Sequence, residues 1–233
     1  MTGTFPNDAI QAAMVDLDGT MVDSSTDLIA AVNLMLAELG MAQVEHDAAL
    51  RLIGKGSDHL VRSALALSAS ACALAAEGAD GDASLQLFPS ARESFLRHYA
   101  HVNGHHSVVF PGVERGLQAL LAKGWKLACL TNKPTAFTLP LLKAKGLDRY
   151  FSQVFGGDAF PRLKPDPLPL LKTCEALGTR PEQTLMIGDS SNDARAARAA
   201  GCPVVLVTYG YNHGAPVRGE DADGFIDSLT ELA

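Results

Sequence analysis

Apolar residues recur along this chain with two periods, and the change of period organises it. Residues 11–15 read as a short apolar strand that ends in turn chemistry at Gly19. Leu28, Ile29, Val32, Leu36 and Leu39 then recur at helical spacing, with Gly40 as the stop. A second helix is expected over about 47–53, a loop at Gly54-Lys55-Gly56, and a further helix over 58–67. Gly78-Ala79-Asp80-Gly81-Asp82 has turn composition, and residues 85–101 are again amphipathic. From Asp23 to His101 the pattern is helical and no strand is expected.

Beyond Val108-Val109-Phe110-Pro111-Gly112 strands and helices alternate. Helices are expected over 113–122, 137–145, 167–177 and 191–200. Strands are expected over 126–130, 153–155, 184–187 and 204–207, with a last short strand at Phe225-Ile226 before a helical turn to Leu232. Such alternation implies an α/β fold, a doubly wound and mainly parallel sheet covered by helices on both faces. The sheet starts at residues 11–15, is interrupted by an all-helical insert and resumes near Trp125. The expected division is a core domain of residues 1–22 and 103–233 and a helical cap domain of residues 23–102. An insert so placed sits over the carboxyl end of the sheet, where ligands bind in open α/β sheets, and works there as a lid.

Charge narrows the partners. A formal net charge of −7 argues against nucleic acid, which wants a basic face. Anionic substrates stay open, because a few local cations and a metal outweigh distant negative surface. The first ten residues carry no basic, apolar signal, and no apolar run approaches the ~18 residues of a membrane helix. A cytoplasmic protein without a membrane partner is expected, as a monomer or homodimer. Cys72, Cys129, Cys174 and Cys202 are scattered without a C-x-x-C pair, as buried free thiols in a reducing compartment would be.

The candidate chemistry begins where the first strand ends. Asp16 and Asp18 stand two apart, and strand alternation turns such side chains to one face. Neighbouring anions disfavour each other's ionisation, and a bound Mg²⁺ with oxygen ligands removes the conflict. Three more clusters fall at expected strand ends or adjoining loops. Thr131 and Asn132 read equally as phosphate-binding groups or as a helix cap before Pro134. Lys164 lies in Leu163-Lys164-Pro165-Asp166-Pro167, either held to neutralise a phosphoryl group or as a solvated loop lysine. Asp189 ends a strand as Asp16 does and suits a third metal carboxylate. Asp193 completes a capping box with Ser190 and is also placed to orient a metal-bound water. His98, His101, His105 and His106 lack a completing ligand and read as a solvated helix end rather than a metal site.

The segments Asp16-x-Asp18-Gly19-Thr20-x-x-Asp23-Ser24, Thr131-Asn132-Lys133, Lys164-Pro165-Asp166-Pro167 and Gly188-Asp189-Ser190-x-Asn192-Asp193 resemble, in order, the four motifs of the haloacid dehalogenase-like hydrolase superfamily. Met21 and Val15 stand where leucine and phenylalanine are common, and both keep the position apolar. The loops 51–56, 127–134 and 205–214 are similar to those of the bacterial phosphoglycolate phosphatases. The resemblance implies a Rossmann-like core, a small phosphorylated substrate and Mg²⁺ held by Asp16, the backbone carbonyl of Asp18 and Asp189. It implies Asp16 as nucleophile, forming an aspartyl-phosphate, with Asp18 as general acid and base. Thr131 and Lys164 would bind the other phosphoryl oxygens, and the expected reaction is hydrolysis of 2-phosphoglycolate to glycolate and phosphate.

Asp18 separates the relatives. Dehalogenases of the superfamily lack it, and phosphonoacetaldehyde hydrolases carry a small residue there. Lys55 has two readings, a cap lysine reaching toward a substrate carboxylate or a solvated loop lysine, and the resemblance favours the first. The other reactions in view are a sugar-phosphate phosphatase or phosphomutase, and, from a different class, a phospho-accepting signalling module. The insert and the K-P-D-P segment disfavour the last.

Overall fold

The central strands of the sheet are buried and mostly apolar because both faces are covered. In chain order the strands are β1 (Ala12–Val15), β2 (Val22–Asp23), β3 (Val108–Val109), β4 (Lys126–Leu130), β5 (Gln153–Phe155), β6 (Thr184–Gly188), β7 (Val204–Val207) and β8 (Gly224–Ile226). Six of them form one sheet in the order β5-β4-β1-β6-β7-β8, every neighbouring pair parallel. The structure, a computed structural model, describes residues 9–75 and 83–233, and side chains outside 71–85. The turn expected at residues 78–82 and the side chain of Cys72 lie outside those limits.

Alternation along the strands sorts the core into two layers. Ala13 and Val15 of β1, Leu127 and Cys129 of β4, and Leu185 and Ile187 of β6 cluster with apolar residues of two helices, Val113–Ala122 and Thr135–Ala144. Ala12, Met14, Ala128, Leu130 and Met186 cluster on the opposite face with Leu168–Leu177 and Ser191–Ala200. The last of these helices offers Ala194, Ala196, Ala197 and Ala200 to the sheet, small residues that permit close approach. The sheet is doubly wound, as the alternation in sequence implies. β1, β4, β5 and β7 carry the expected bounds to within a residue. The helix over Thr135–Ala144 starts two residues early, directly after Pro134.

Between β2 and β3 the chain forms an all-helical insert. Its helices are α1 (Ser25–Glu38), α2 (His46–Leu50), α3 (Ser57–Ala75) and α4 (Ala83–Val102). Leu28, Val32, Met35 and Leu36 of α1 pack with Leu60, Val61 and Leu65 of α3 and with Phe95 and Tyr99 of α4. This cluster is separate from the two under the sheet, and Phe137 from the core joins it. α2 stops at Leu50, and residues 51–53 form a turn. Among the described residues no helix is long and apolar enough to cross a membrane.

The sequence pattern gave no sign of the small antiparallel ribbon where the insert leaves and rejoins the sheet. There β2 pairs Val22 with Val109 and Asp23 with Val108 of β3. Two residues are too few to show a period. Beside the ribbon Asp27, fully buried, accepts hydrogen bonds from the backbone N–H groups of Gly104, His106 and Ser107 at 3.0, 2.9 and 2.9 Å. It also accepts from the Ser107 hydroxyl. One carboxylate thus ties the start of α1 to the chain leaving α4. Asp27→Ala leaves several buried donors without acceptors, and each costs about 1–3 kcal/mol. The variant is expected to lose about 3 kcal/mol or more in urea unfolding; a loss below about 1 kcal/mol would contradict this role.

Candidate active site

Three neighbouring strands deliver the site. Asp16 follows β1, Thr131 follows β4 and Asp189 follows β6, all at carboxyl ends in the middle of the sheet. This is where a parallel sheet with helices on both faces leaves a crevice. The Asp16 backbone N–H donates to the Ile187 carbonyl at 2.9 Å, so the ladder continues to the residue that carries the carboxylate. The Leu17 N–H then donates to Asp16 Oδ1 at 2.7 Å.

Lys164 arrives from the loop before the helix Leu168–Leu177 and is buried. Its Nζ lies 3.0 Å from Asp16 Oδ2 and 2.7 Å from Asp193 Oδ1, and donates to the Leu130 carbonyl at 2.9 Å. The solvated-lysine reading is thereby set aside. Asp189 accepts from Thr20 Oγ1 at 3.1 Å and from the Tyr211 N–H at 2.8 Å. Gly19, at φ +84°, and Gly210 make room for it: a Cβ on either would fall 2.5 Å from Asp189 Oδ2 or 2.2 Å from Asp189 Cβ. Asp193 does two jobs. Its Oδ2 accepts from the Ser190 N–H and hydroxyl at 3.2 and 2.8 Å as a capping box, while Oδ1 faces Lys164.

Oxygens of Asp16, Asp189 and Asp193 lie within 4.8 Å of one another, all buried. Three carboxylates face one ammonium. Burial pushes the Asp16 carboxyl up to about 6, with Lys164 opposing the rise and Asp193 adding to it. Burial, Asp193 and Asp16 push Asp189 up to about 8. Burial alone would lower Lys164, but the Asp16 and Asp193 carboxylates outweigh it and hold it protonated. The surplus of oxygen anions fits a hard divalent cation, which Asp16 and Asp189 can hold.

Asp18 does not share this cluster. β1 ends at Val15 and the chain turns at Gly19, so strand alternation does not extend to residue 18. Its carboxylate instead accepts from Ser24 Oγ at 2.5 Å and from Lys133 Nζ at 3.0 and 3.2 Å. That leaves its backbone carbonyl, the atom implied by the resemblance, as its means of holding a metal. Asn132 is not a helix cap either. It accepts from the Lys164 N–H at 3.0 Å and donates to the carbonyls of Lys164 and Gly54 at 2.9 and 3.2 Å. It therefore fixes the lysine loop and touches the insert. Thr131 is buried, with Oγ1 accepting from the Lys133 N–H at 3.2 Å, and it lines the cavity between insert and sheet.

Lys55 is exposed and does not line that cavity; Gly54 and Gly56 on either side of it do. The cation that does line it is Lys133, which carried no role in the sequence reading although it stands beside Asn132. Tyr99 of α4 and Tyr211 were also missed, since each is distant in sequence from any motif residue it serves. The Tyr211 hydroxyl donates to Asp23 at 2.7 Å and accepts from the Ser24 N–H at 3.0 Å, while its own N–H holds Asp189. His98 meets Glu38 at 2.7 Å beside Arg97, and His101 meets the Arg97 carbonyl, so the histidines do not gather among the described residues.

Fold and site together define an α/β enzyme scaffold able to hold a divalent cation and a phosphoryl group at one sheet rim. The model of the haloacid dehalogenase-like hydrolases matches residues 13–207, and the chain belongs to that family. The phosphoglycolate phosphatase of Thiobacillus denitrificans is 45% identical over 224 residues, covering 96% of this chain and 94% of that protein. The plasmid phosphoglycolate phosphatase of Cupriavidus necator is 42% identical, covering 95% and 90%. The crystal structure of a predicted phosphoglycolate phosphatase from Haemophilus somnus matches with a TM-score of 0.87 at 35% identity, covering 96% of both chains.

In the metal-free protein Asp16 and Asp189 retain protons at pH values where the unfolded chain has lost them. Their stabilising contribution is complete below the ordinary carboxylate value of 3.8 and is lost as pH rises through about 6 and about 8. A bound divalent cation removes that loss. Thermal melts are therefore expected to show a larger gain from saturating cation at about pH 8.5 than at about pH 5; equal gains would contradict the assignment.

Proposed function

We propose that this protein is a Mg²⁺-dependent phosphatase that hydrolyses 2-phosphoglycolate to glycolate and phosphate through a phosphorylated Asp16. The observation that carries the reading is the convergence of Lys164, Asp189 and Asp193 on Asp16. The similarity to phosphoglycolate phosphatases over nearly the full chain supports the substrate. Residues 23–102 are the cap in this reading and residues 1–22 and 103–233 the core. The unbonded thiols of Cys129, Cys174 and Cys202 support a cytoplasmic setting.

Each residue then has a task. An Asp16 oxygen forms a bond to phosphorus as the ester oxygen leaves, and Asp18 gives that oxygen its proton. Water next attacks the aspartyl-phosphate, passes a proton to Asp18 and releases phosphate with Asp16 restored. Lys164 and Thr131 hold the non-bridging phosphoryl oxygens, so charge building on them meets a fixed ammonium and a hydroxyl. Mg²⁺, held by Asp16, the Asp18 carbonyl and Asp189, supplies further neutralisation of phosphoryl charge when bound. Asp193 keeps Lys164 charged and aimed, and Asn132 fixes the backbone from which Lys164 reaches.

Phosphate release over a panel of small phosphorylated acids and sugars tests the reading. Turnover is expected to require Mg²⁺ and to be fastest on 2-phosphoglycolate. Asp16→Asn is expected to lower kcat by about 10³-fold or more. Undiminished turnover in that variant, or a clear preference for a sugar phosphate, would overturn the assignment.

A further inference from the structure

The cavity between insert and sheet is lined by Asp16, Asp18, Thr131 and Lys133 and also by the apolar Leu28, Phe95 and Phe137. Tyr99 joins the two sets: its hydroxyl accepts from Lys133 and its ring packs on Phe95 and Phe137. The buried Lys133 donates to both oxygens of Asp18 and to the Tyr99 hydroxyl, with Nζ also 4.7 Å from the Tyr99 ring centre. Tyr99 belongs to α4 and Lys133 to the core, so the pair exists only where the two meet.

Two consequences follow from donor counting. The Tyr99 oxygen accepts from Lys133, so its own O–H is free to be given to another acceptor. Burial and the Asp18 charge raise this phenol above its ordinary range, and it stays a donor. Lys133, for its part, has one anionic partner among the described residues, Asp18. Both Lys133 and Tyr99 line the cavity, so an anion lying there can take the Tyr99 O–H and a share of the ammonium.

We propose that Lys133 and Tyr99 form the subsite for a substrate carboxylate adjacent to the ester carbon, the role for which sequence alone suggests Lys55. The inference rests on the reading of Asp18 as leaving-group acid. In a 2-phospho acid the carboxylate oxygen is three bonds from the ester oxygen, roughly 3–4 Å by ordinary bond lengths. Asp18 reaches Lys133 at 3.0 Å, so an ester oxygen bonded to Asp18 brings the carboxylate to the ammonium and the phenol. The Leu28, Phe95 and Phe137 side chains of the lining offer nothing to sugar hydroxyls, and Lys55 does not line the cavity.

The test compares 2-phosphoglycolate with 2-hydroxyethyl phosphate, which lacks the carboxylate. In Tyr99→Phe, which keeps the ring and its packing, the ratio of the two KM values is expected to rise about tenfold against 2-phosphoglycolate. Lys133→Met is expected to raise it further and to lower kcat on both esters, because Asp18 loses its partner. Lys55→Ala is expected to shift both KM values alike. Inhibition of 2-hydroxyethyl phosphate turnover by glycolate gives a second readout, expected to weaken about tenfold in Tyr99→Phe. If the wild type cleaves 2-phosphoglycolate but Tyr99→Phe changes neither the ratio nor the inhibition, the subsite is wrong and the function stands. If the wild type ignores 2-phosphoglycolate while glycolate still inhibits in a Tyr99-dependent way, the function is wrong and the subsite stands.

Discussion

One buried ammonium holds the centre of this molecule. Lys164 touches Asp16 and Asp193 at once, and Asp189 stands beside them with no cation of its own among the described residues. Removing such charges from water costs several kcal/mol per ion unless the geometry returns it. Lys164 returns part of it for two of the three carboxylates. The rest appears as the raised protonation of Asp16 and Asp189, a conflict that the polypeptide leaves unresolved. A site at odds with itself in this way is built for something to arrive, here a divalent cation and the anion that it accompanies.

The surrounding fold exists to keep that conflict in place. Three adjacent parallel strands end side by side, so residues far apart in sequence meet at one rim. Two apolar layers lock those strands from both faces, and hydrogen bonds from Leu17, Thr20 and Tyr211 then aim the carboxylates at their ends. The insert is fastened to the same rim by polar contacts. Asn132 and Asn192 both donate to the Gly54 carbonyl, and Tyr211 bonds to Asp23 and Ser24 at the base of the insert while its backbone holds Asp189. A displacement of the insert would therefore be felt at Asp189 and at Asp18 through Tyr211 and Tyr99.

Much of this was legible in the chain, and for physical reasons. Short apolar runs such as 127–130 and 204–207, alternating with helical segments, fit strands buried on both faces, and a carboxylate or hydroxyl after such a run is carried to the rim. Asp16, Thr131 and Asp189 are found in that way, and Lys164 from the prolines that fix its loop. The ribbon of Val22–Asp23 with Val108–Val109 was not, because two residues hold no period. Asp18 lines the same cavity as Asp16, but its carboxylate bonds to Ser24 and Lys133 rather than joining Asp189 and Asp193, a choice that spacing alone does not reveal. Lys55 is favoured by the family resemblance as a cap lysine reaching toward substrate, and the structure places it exposed, beside Gly54 and Gly56 that line the cavity. Lys133 and Tyr99 are the converse case: their meaning lies in a contact across 34 residues, invisible until the chain is folded.

The surplus negative charge is the central claim, and proton counting on metal binding reaches it most directly. Mg²⁺ titrated calorimetrically into metal-free protein near pH 7, in buffers of differing ionisation enthalpy, reports the protons displaced per ion. The account predicts release of about one proton, largely from Asp189, and its disappearance in Asp189→Asn. Binding of Mg²⁺ with no proton released, or release unaffected by that substitution, would contradict it.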